Sequence, residues 1–488
     1  MTSSPDDLVL LPTRVIDVGP PFSTNQVFLL ESEGKRGQYL TLSHRWGDAN
    51  ILRTTSRTLE RFKNRIPIET LCQNFQDAMT VTRRLGFRYL WIDSLCIIQD
   101  SEEDWNRESR RMADIYLYST LTISASDALD GNAGFLYRRN PLQDEFAKIP
   151  YINRDGVVDG HYYIAPKLRS IFDTEPFPLN RRGWTLQESI LARRTVLFGK
   201  DQLHWECQSD SWDEGETQFK TLGSKLGGRK LAKLISYGSD TNGLLRFEPW
   251  YEIIKQYSDR ELTFESDKLP ALSGLASSFQ RIMGCHYAAG LWEEDLPRGL
   301  LWSSGLRKDV FRRPGSPRAP SWSWAGVDGH LEFPFPQGKS QIFDIRVEME
   351  QAGSDPFGKV TSGMMSLRGR IRPVYQSKSQ NAVSQKELLS THMVDVTGLI
   401  VGRGQFDTLE RYTQIYCLLI RLNLTNDRHS PDSLLLVKDH DAESATYRRI
   451  GVFFSNWDEI PSPKTDTAHL SAVPPFFREA SLEQVMLV

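Results

Sequence analysis

The chain has 488 residues, more than one hydrophobic core usually organises, so two or three domains are expected. With 59 Lys+Arg against 62 Asp+Glu its net charge is −3, which excludes a general electrostatic grip on DNA or RNA, since that needs clustered positive charge. A hydrophobic share of 39%, with 11% aromatic residues, excludes wholesale disorder.

In chain order, Tyr39–Ser43 reads as a short β-strand followed by a turn at Trp46-Gly47-Asp48. Leu71, Phe75, Ala78, Met79, Thr82 and Leu85 recur at helical spacing, and Gly86 ends that helix. Phe87–Ile92 is aromatic and β-branched, which fits a strand buried on both faces. Ser101, with Asp104 three residues on, starts a helix whose inner face carries Trp105, Met112, Ile115 and Tyr116. Leu121–Ser124 returns as a strand, residues 126–180 are loop-rich with a turn at Asp155-Gly156, Asn180–Arg194 reads as a helix, and Val196–Phe198 as a strand. Alternating strands and helices predict an α/β fold with a parallel sheet flanked by helices, and such sheets bind ligands at the carboxyl ends of their strands.

A mixed, Trp-rich region follows, and then a β-rich C-terminal part with strands expected at Met365–Val374, Met393–Val401, Tyr416–Leu422, Leu434–Val437 and Arg448–Phe454. The expected organisation is a lead-in at 1–37, an α/β domain at 38–200, a mixed helical and irregular region at 201–335 packing on it, and a β-rich domain at 336–488.

Several chemistries lack their motifs. The five cysteines are widely spaced with no CxxC pair, and no HExxH spacing or GxGxxG fingerprint occurs, so no metal or cofactor is expected. Gly223-Ser-Lys-Leu-Gly-Gly228 has the outer glycines of a phosphate loop but lacks the Lys-Ser/Thr that would hold phosphate and magnesium. Cys96 or Ser43 with His44 could make a nucleophile and base, but no GxSxG elbow is present and Cys96 sits among apolar residues. No apolar stretch approaches the roughly 20 residues of a membrane span, and Met1–Pro12 lacks a cationic signal-peptide start. A reduced, cytoplasmic protein is expected, in which the Asn423-Leu424-Thr425 sequon meets no glycosylation enzyme.

Three clusters carry the functional reading: Leu42-Ser43-His44-Arg45-Trp46-Gly47-Asp48, Leu90-Trp91-Ile92-Asp93-Ser94-Leu95-Cys96-Ile97-Ile98-Gln99-Asp100, and Arg181-Arg182-Gly183-Trp184-Thr185-Leu186-Gln187-Glu188. Parallel strands would gather Ser43, Arg45, Asp93 and Ser94 at one sheet edge, with Trp46 and Trp184 available to stack on a planar ring. Each also has a structural explanation: tryptophans in a core, Asp93 capping a turn or pairing with Arg45, and Glu188 bridged to Arg182 or Arg193.

In order and spacing the three clusters resemble the fungal heterokaryon-incompatibility (HET) domain, with His44 where that family usually has Tyr. The resemblance covers 38–200 and extends more loosely over 201–326, through Asp267–Gly274, Gly290-Leu-Trp292 and Ala319–Trp324. It implies an effector of non-self recognition and programmed cell death, with a flavodoxin-like core distantly similar to TIR domains. Some TIR domains cleave NAD through a glutamate in a Trp-x-x-x-Glu helix, a spacing that Trp184 and Glu188 match, although Thr185 stands where those domains have Cys. On that reading Glu188 is the catalytic residue and NAD a substrate. Ser43, Arg45, Trp46, Gly47, Asp93, Ser94 and Trp184 then bind the substrate, with Arg45 on the pyrophosphate. The alternative is a non-catalytic module that assembles with copies of itself and an unknown protein partner.

Overall fold

The computed structural model describes residues 8–20, 26–47, 51–137, 147–164, 177–208, 210–214, 245–305, 310–377, 390–422, 431–439, 446–455 and 473–488. Asp48, the Gly223–Gly228 loop and the Asn423 sequon lie outside them. The chain divides into two compact units, Met1–Leu234 and Ile235–Val488.

In the first unit the strands are β1 (Val9–Leu10), β2 (Arg14–Asp17), β3 (Phe28–Glu31), β4 (Arg36–Gly37), β5 (Tyr39–Ser43), β6 (Tyr89–Trp91), β7 (Leu121–Ser124), β8 (Ala147–Ile152), β9 (Val158–Ile164), β10 (Arg194–Phe198), β11 (Leu203–Cys207) and β12 (Ser211–Asp213). The helices are α1 (Leu59–Asn64), α2 (Gln73–Arg84), α3 (Asp93–Cys96), α4 (Glu102–Tyr118) and α5 (Trp184–Leu191). Eight strands form one sheet in the order β12-β11-β10-β7-β5-β6-β2-β3.

The sheet is mixed, which corrects the expectation of a parallel one. The inner pairs β5–β6, β5–β7 and β7–β10 are parallel, but β2, β3, β11 and β12 add antiparallel edges. The edge strands follow short connections, which return a chain antiparallel, whereas β5, β6 and β7 are joined by the helical crossovers that parallel pairing requires. Taken by chain position, the parallel strands lie 2-1-3-4, so the strand order reverses between β5 and β7. In open α/β sheets that reversal opens a crevice at the carboxyl ends of the strands.

Local chemistry explains the elements that frame this crevice. All of β5 is buried, as a central strand covered on both faces must be, and its Thr41 hydroxyl meets that of Thr122 on β7 at 2.8 Å. Helix α2 buries Phe75, Ala78, Met79 and Thr82, the face expected from their spacing. Ser101 caps α4 by accepting from the Asp104 N–H at 3.2 Å. The loop-rich segment contains the β8–β9 hairpin, turned at Asp155-Gly156.

Arg14 and Asp104 form a buried ion pair between β2 and α4, each side chain 4% exposed. Arg14 Nε also donates to the Cys96 carbonyl at 2.7 Å, and Asp104 accepts from the Ile98 N–H at 2.8 Å. Burial raises the Asp104 pKa, but Arg14, the Ile98 N–H and Arg107 outweigh it and hold the carboxyl below its ordinary range. These bonds fix the segment between β6 and α4, which carries Asp93.

The second unit contains a Trp-rich part and a β-rich part. Trp250, Trp292, Trp302, Trp322 and Trp324 are all fully buried. The Gly290 carbonyl accepts from Trp250 Nε1 at 2.9 Å and Trp324 Nε1 at 3.0 Å, and at φ +94° a Cβ on Gly290 would stand 2.5 Å from Trp324 Nε1. In the β-rich part, Val360–Gln376 pairs with Ser390–Val394, and the ladder passes through Ile400–Phe406, Thr446–Ser455, Ser433–Lys438 and Ile415–Leu419 before returning to Val360–Gln376. The ring closes on a core that includes Met393, Phe406, Cys417, Leu435 and Phe453, leaving no open edge within it. The strand expected at Met393–Val401 is instead two strands around a turn. Asp395 accepts from the N–H groups of Thr397 at 2.8 Å and Leu399 at 3.1 Å, and Gly398 takes φ +87°.

Asp104→Asn leaves Arg14 buried without its counter-charge, and breaking one side of such a pair costs about 3–5 kcal/mol. The expected outcome is faster hydrogen exchange across β2, β6 and α4, with the barrel of the second unit unaffected. Unchanged protection in those elements would show that the pair is dispensable.

Candidate functional site

The three sequence clusters meet at the carboxyl ends of the parallel strands. Ser43 ends β5, Asp93 follows β6 by two residues, and Glu188 lies on the second turn of α5. The Ser43 hydroxyl donates to Glu188 Oε2, joining residues 145 apart in sequence. Tyr116 on α4 also hydrogen-bonds the Glu188 carboxyl, while its hydroxyl lies 3.2 Å from the Leu42 carbonyl. Glu188 is 4% exposed. Burial is the main reason that its pKa rises to about 7; the Arg182 charge and the Ser43 and Tyr116 hydrogen bonds oppose the rise, and the Asp93 charge adds to it.

A second set centres on Asp93. Trp46 Nε1 donates to Asp93 Oδ2 at 3.0 Å, the Ser94 N–H donates to Oδ1 at 2.7 Å, and Arg182 Nη2 stands 3.9 Å away. Arg182 Nη1 donates to the His44 carbonyl at 3.0 Å, and its guanidinium lies 5.3 Å from the Trp46 ring centre. The Arg53 guanidinium lies 5.1 Å from the same ring. His44 is buried against Phe75, with Nε2 4.0 Å from Asp93 Oδ1 and without a hydrogen-bond partner. Burial pushes its pKa down to about 4 in spite of Asp93, so the imidazole is neutral at pH 7.

Among the residues singled out from sequence, Ser43 and Glu188 touch, and Trp46, Asp93 and Ser94 are joined through the Asp93 carboxylate. Gly47 takes φ +61° with Asp130 packed so closely that a Cβ would lie 2.5 Å from the Asp130 Cβ, which docks the β5 loop on the β7 loop. Trp184 is half-buried and meets Trp105 edge-on at 6.2 Å. Arg45 is half-buried and makes no ion pair or hydrogen bond with the described residues; Asp93 takes Arg182 as its cation instead. Sequence reasoning missed the parts of Tyr116 and Arg53 and gave Arg182 a different one, as a bridge to Glu188. Tyr116 reads as one more apolar position on the inner face of α4, and Arg53 lies in a non-periodic stretch with no motif. Arg182 had a signal, its place in the third cluster.

Two clefts lie elsewhere. A groove of about 540 Å³ in the second unit is lined by Pro320, Met349 and Gly363 among others, and a cleft of about 750 Å³ in the first by Asp17, Phe28, Lys63 and Arg88 among others; neither includes a residue of this rim. Among the described residues no group of His, Cys, Asp and Glu is placed to hold a metal ion, and no helix is long and apolar enough to cross a membrane.

A glutamate whose pKa rises from 4.5 to about 7 on folding binds its proton more tightly in the native state. Native stability therefore falls as pH rises from about 4.5 through about 7, by on the order of 3 kcal/mol, and is flat beyond. His44, with its pKa lowered, works the other way, losing stability as pH falls below about 6.5. Comparing wild type with Glu188→Gln cancels the His44 contribution. The urea midpoint of wild type is expected to drop relative to the variant across that interval; parallel curves would mean that Glu188 titrates normally.

The model of the heterokaryon incompatibility protein (HET) family matches residues 39–188, from the first residue of β5 to Glu188 itself. Comparisons with curated proteins and with solved structures gave no match. The first unit of this chain thus carries a heterokaryon-incompatibility (HET) domain at residues 39–188.

Proposed function

We propose that the chain is a cytoplasmic effector of fungal heterokaryon incompatibility, which ends in programmed cell death, and that it acts by cleaving NAD at the nicotinamide–ribose bond. The observation that carries the chemistry is the Ser43–Glu188 contact, which places a carboxyl of raised pKa at the point where the strand order reverses. The 2-1-3-4 order of the parallel strands supports the flavodoxin-like, TIR-like reading of the core.

Cleavage of this bond passes through an oxocarbenium-like state in which positive charge grows on the ribose. The C1′–N bond breaks with its electron pair going to the pyridinium nitrogen, so nicotinamide leaves neutral and no general acid is required. Water then adds its oxygen to C1′ and releases a proton. An ionised Glu188 stabilises the developing charge, Ser43 holds that carboxylate in place, and Asp93 orients a ribose hydroxyl. Because the ionised form does this work and Glu188 titrates near 7, the rate rises with pH through neutrality.

One observation favours the second reading, a non-catalytic module that assembles with itself or with a partner protein: Glu188 is 4% exposed and its hydrogen bonds are internal. On that reading the same contacts maintain the fold and the closed barrel of the second unit receives the partner.

Nicotinamide release from NAD by the purified full chain separates the two. Release by wild type that rises with pH through about 7, falling by about a hundredfold or more in Glu188→Gln, is expected. No turnover in wild type under crowded, assembly-promoting conditions, or an undiminished rate in Glu188→Gln, overturns the enzymatic reading. Concentration-dependent self-association without turnover would establish the second.

A further inference from the structure

We propose that Arg53 is a phosphate-binding residue of this rim, so that the ligand it takes is a nucleotide bearing a diphosphate. This rests on the NAD-cleavage reading for the position of the reacting ribose, and it replaces Arg45 as the pyrophosphate contact.

Arg53 is exposed, and among the described residues it has no carboxylate partner and no hydrogen bond through its guanidinium. Its backbone is held firmly all the same. The adjoining Thr54 is fully buried; its N–H donates to the Ser94 carbonyl at 2.9 Å, its hydroxyl to the Leu95 carbonyl at 2.6 Å, and its own carbonyl accepts from the Gln99 N–H at 2.8 Å. These three bonds tie Arg53 to the segment after β6 that carries Asp93. The guanidinium then lies over the Trp46 ring, 5.1 Å from its centre.

A guanidinium held over an indole by cation–π attraction still has its N–H edge to offer. That edge carries the paired N–H groups that match two phosphate oxygens. Arg182, 5.3 Å from the same ring, brings a second positive charge, but its edge is engaged with the His44 carbonyl and it stands 3.9 Å from Asp93. Arg182 therefore organises the site and adds to its field, while Arg53 is the cation with an edge to offer. Trp46 Nε1 donates to Asp93, so Arg53 reaches the carboxylate set through a single side chain. Of the acids in the neighbouring loops, Asp100 is engaged with Ser56, and Asp130 with the N–H groups of Asn132 and Ala133. This arrangement suits an anion spanning Arg53 and the field of Arg182, with the attached ribose directed toward Asp93 and Glu188.

The test measures nicotinamide release from NAD and from nicotinamide riboside, which lacks phosphate, for wild type, Arg53→Gln and Arg53→Lys. In Arg53→Gln the KM for NAD is expected to rise by about tenfold or more with kcat little changed, while kcat/KM for the riboside moves less than about twofold. Arg53→Lys, which keeps the charge and loses the fork, recovers part of the loss. Equal effects on both substrates, or none, overturn the assignment. Calorimetric binding of ADP-ribose against adenosine distinguishes this failure from that of the NAD-cleavage reading. If wild type cleaves neither substrate yet Arg53→Gln weakens ADP-ribose about tenfold and adenosine not at all, phosphate binding by Arg53 stands and cleavage falls. If ADP-ribose binding is the same in both proteins, the assignment falls with it.

Discussion

Moving the Glu188 carboxyl from water to a position 4% exposed disfavours its charge, and its neighbours decide how far. Ser43 and Tyr116 bond it and Arg182 attracts its charge, while Asp93 repels it. The sum lies near neutral pH. The same residue is thus poised between a neutral acid that packs comfortably and a carboxylate that would welcome positive charge beside it. A leucine there would remove the charge but leave the buried Ser43 hydroxyl without its acceptor, and an exposed glutamate would stay ionised with no effect on stability. The buried glutamate, with two hydroxyl neighbours, sits between these cases, and a buried carboxyl of raised pKa is a candidate for function.

Arg182 couples the parts. It precedes α5 by two residues, bonds the carbonyl of His44 in the β5 loop, stands beside Asp93 after β6, and acts electrostatically on Glu188. Any shift of the start of α5 is therefore felt at both other strand ends. Arg14 and Asp104 do the same from behind, holding the segment after β6 against α4. The rim is preorganised by charges that pair across strands, in a mixed sheet whose own ladder bonds could not specify where loop residues point.

The periodic elements were legible in the sequence because burial imposes a period on them. The helix Gln73–Arg84 and the strand Tyr39–Ser43 are of this kind, although Leu85, expected on the helix's inner face, lies just beyond its end and is exposed. The meeting of Ser43, Asp93 and Glu188 at one rim was legible because three polar clusters each follow an apolar strand or begin a helix. The edges of the sheet were not, since β2 and β3 are four-residue segments whose antiparallel pairing depends on partners far along the chain. The turn inside Met393–Val401 was hidden by apolar neighbours that mask the Asp395 and Gly398 signal. Arg53 has no motif, and Tyr116 was legible only as an inner-face position of α4: their places at the rim come from what stands next to them in space.

The matched region and the folded unit differ in extent, and the difference has a physical meaning. Of the eight strands in the sheet only β5, β6 and β7 lie within residues 39–188; β2 and β3 precede them, and β10, β11 and β12 follow. Cut at those limits, β6 would lose β2 and β7 would lose β10, baring two rows of backbone N–H and C=O groups on strands that are otherwise fully paired. The flanking strands complete the sheet, while the rim contacts given above come from residues 42–188. The contacts of the rim thus lie within the matched stretch, while the strand pairing that holds it in place is drawn from both sides of that stretch.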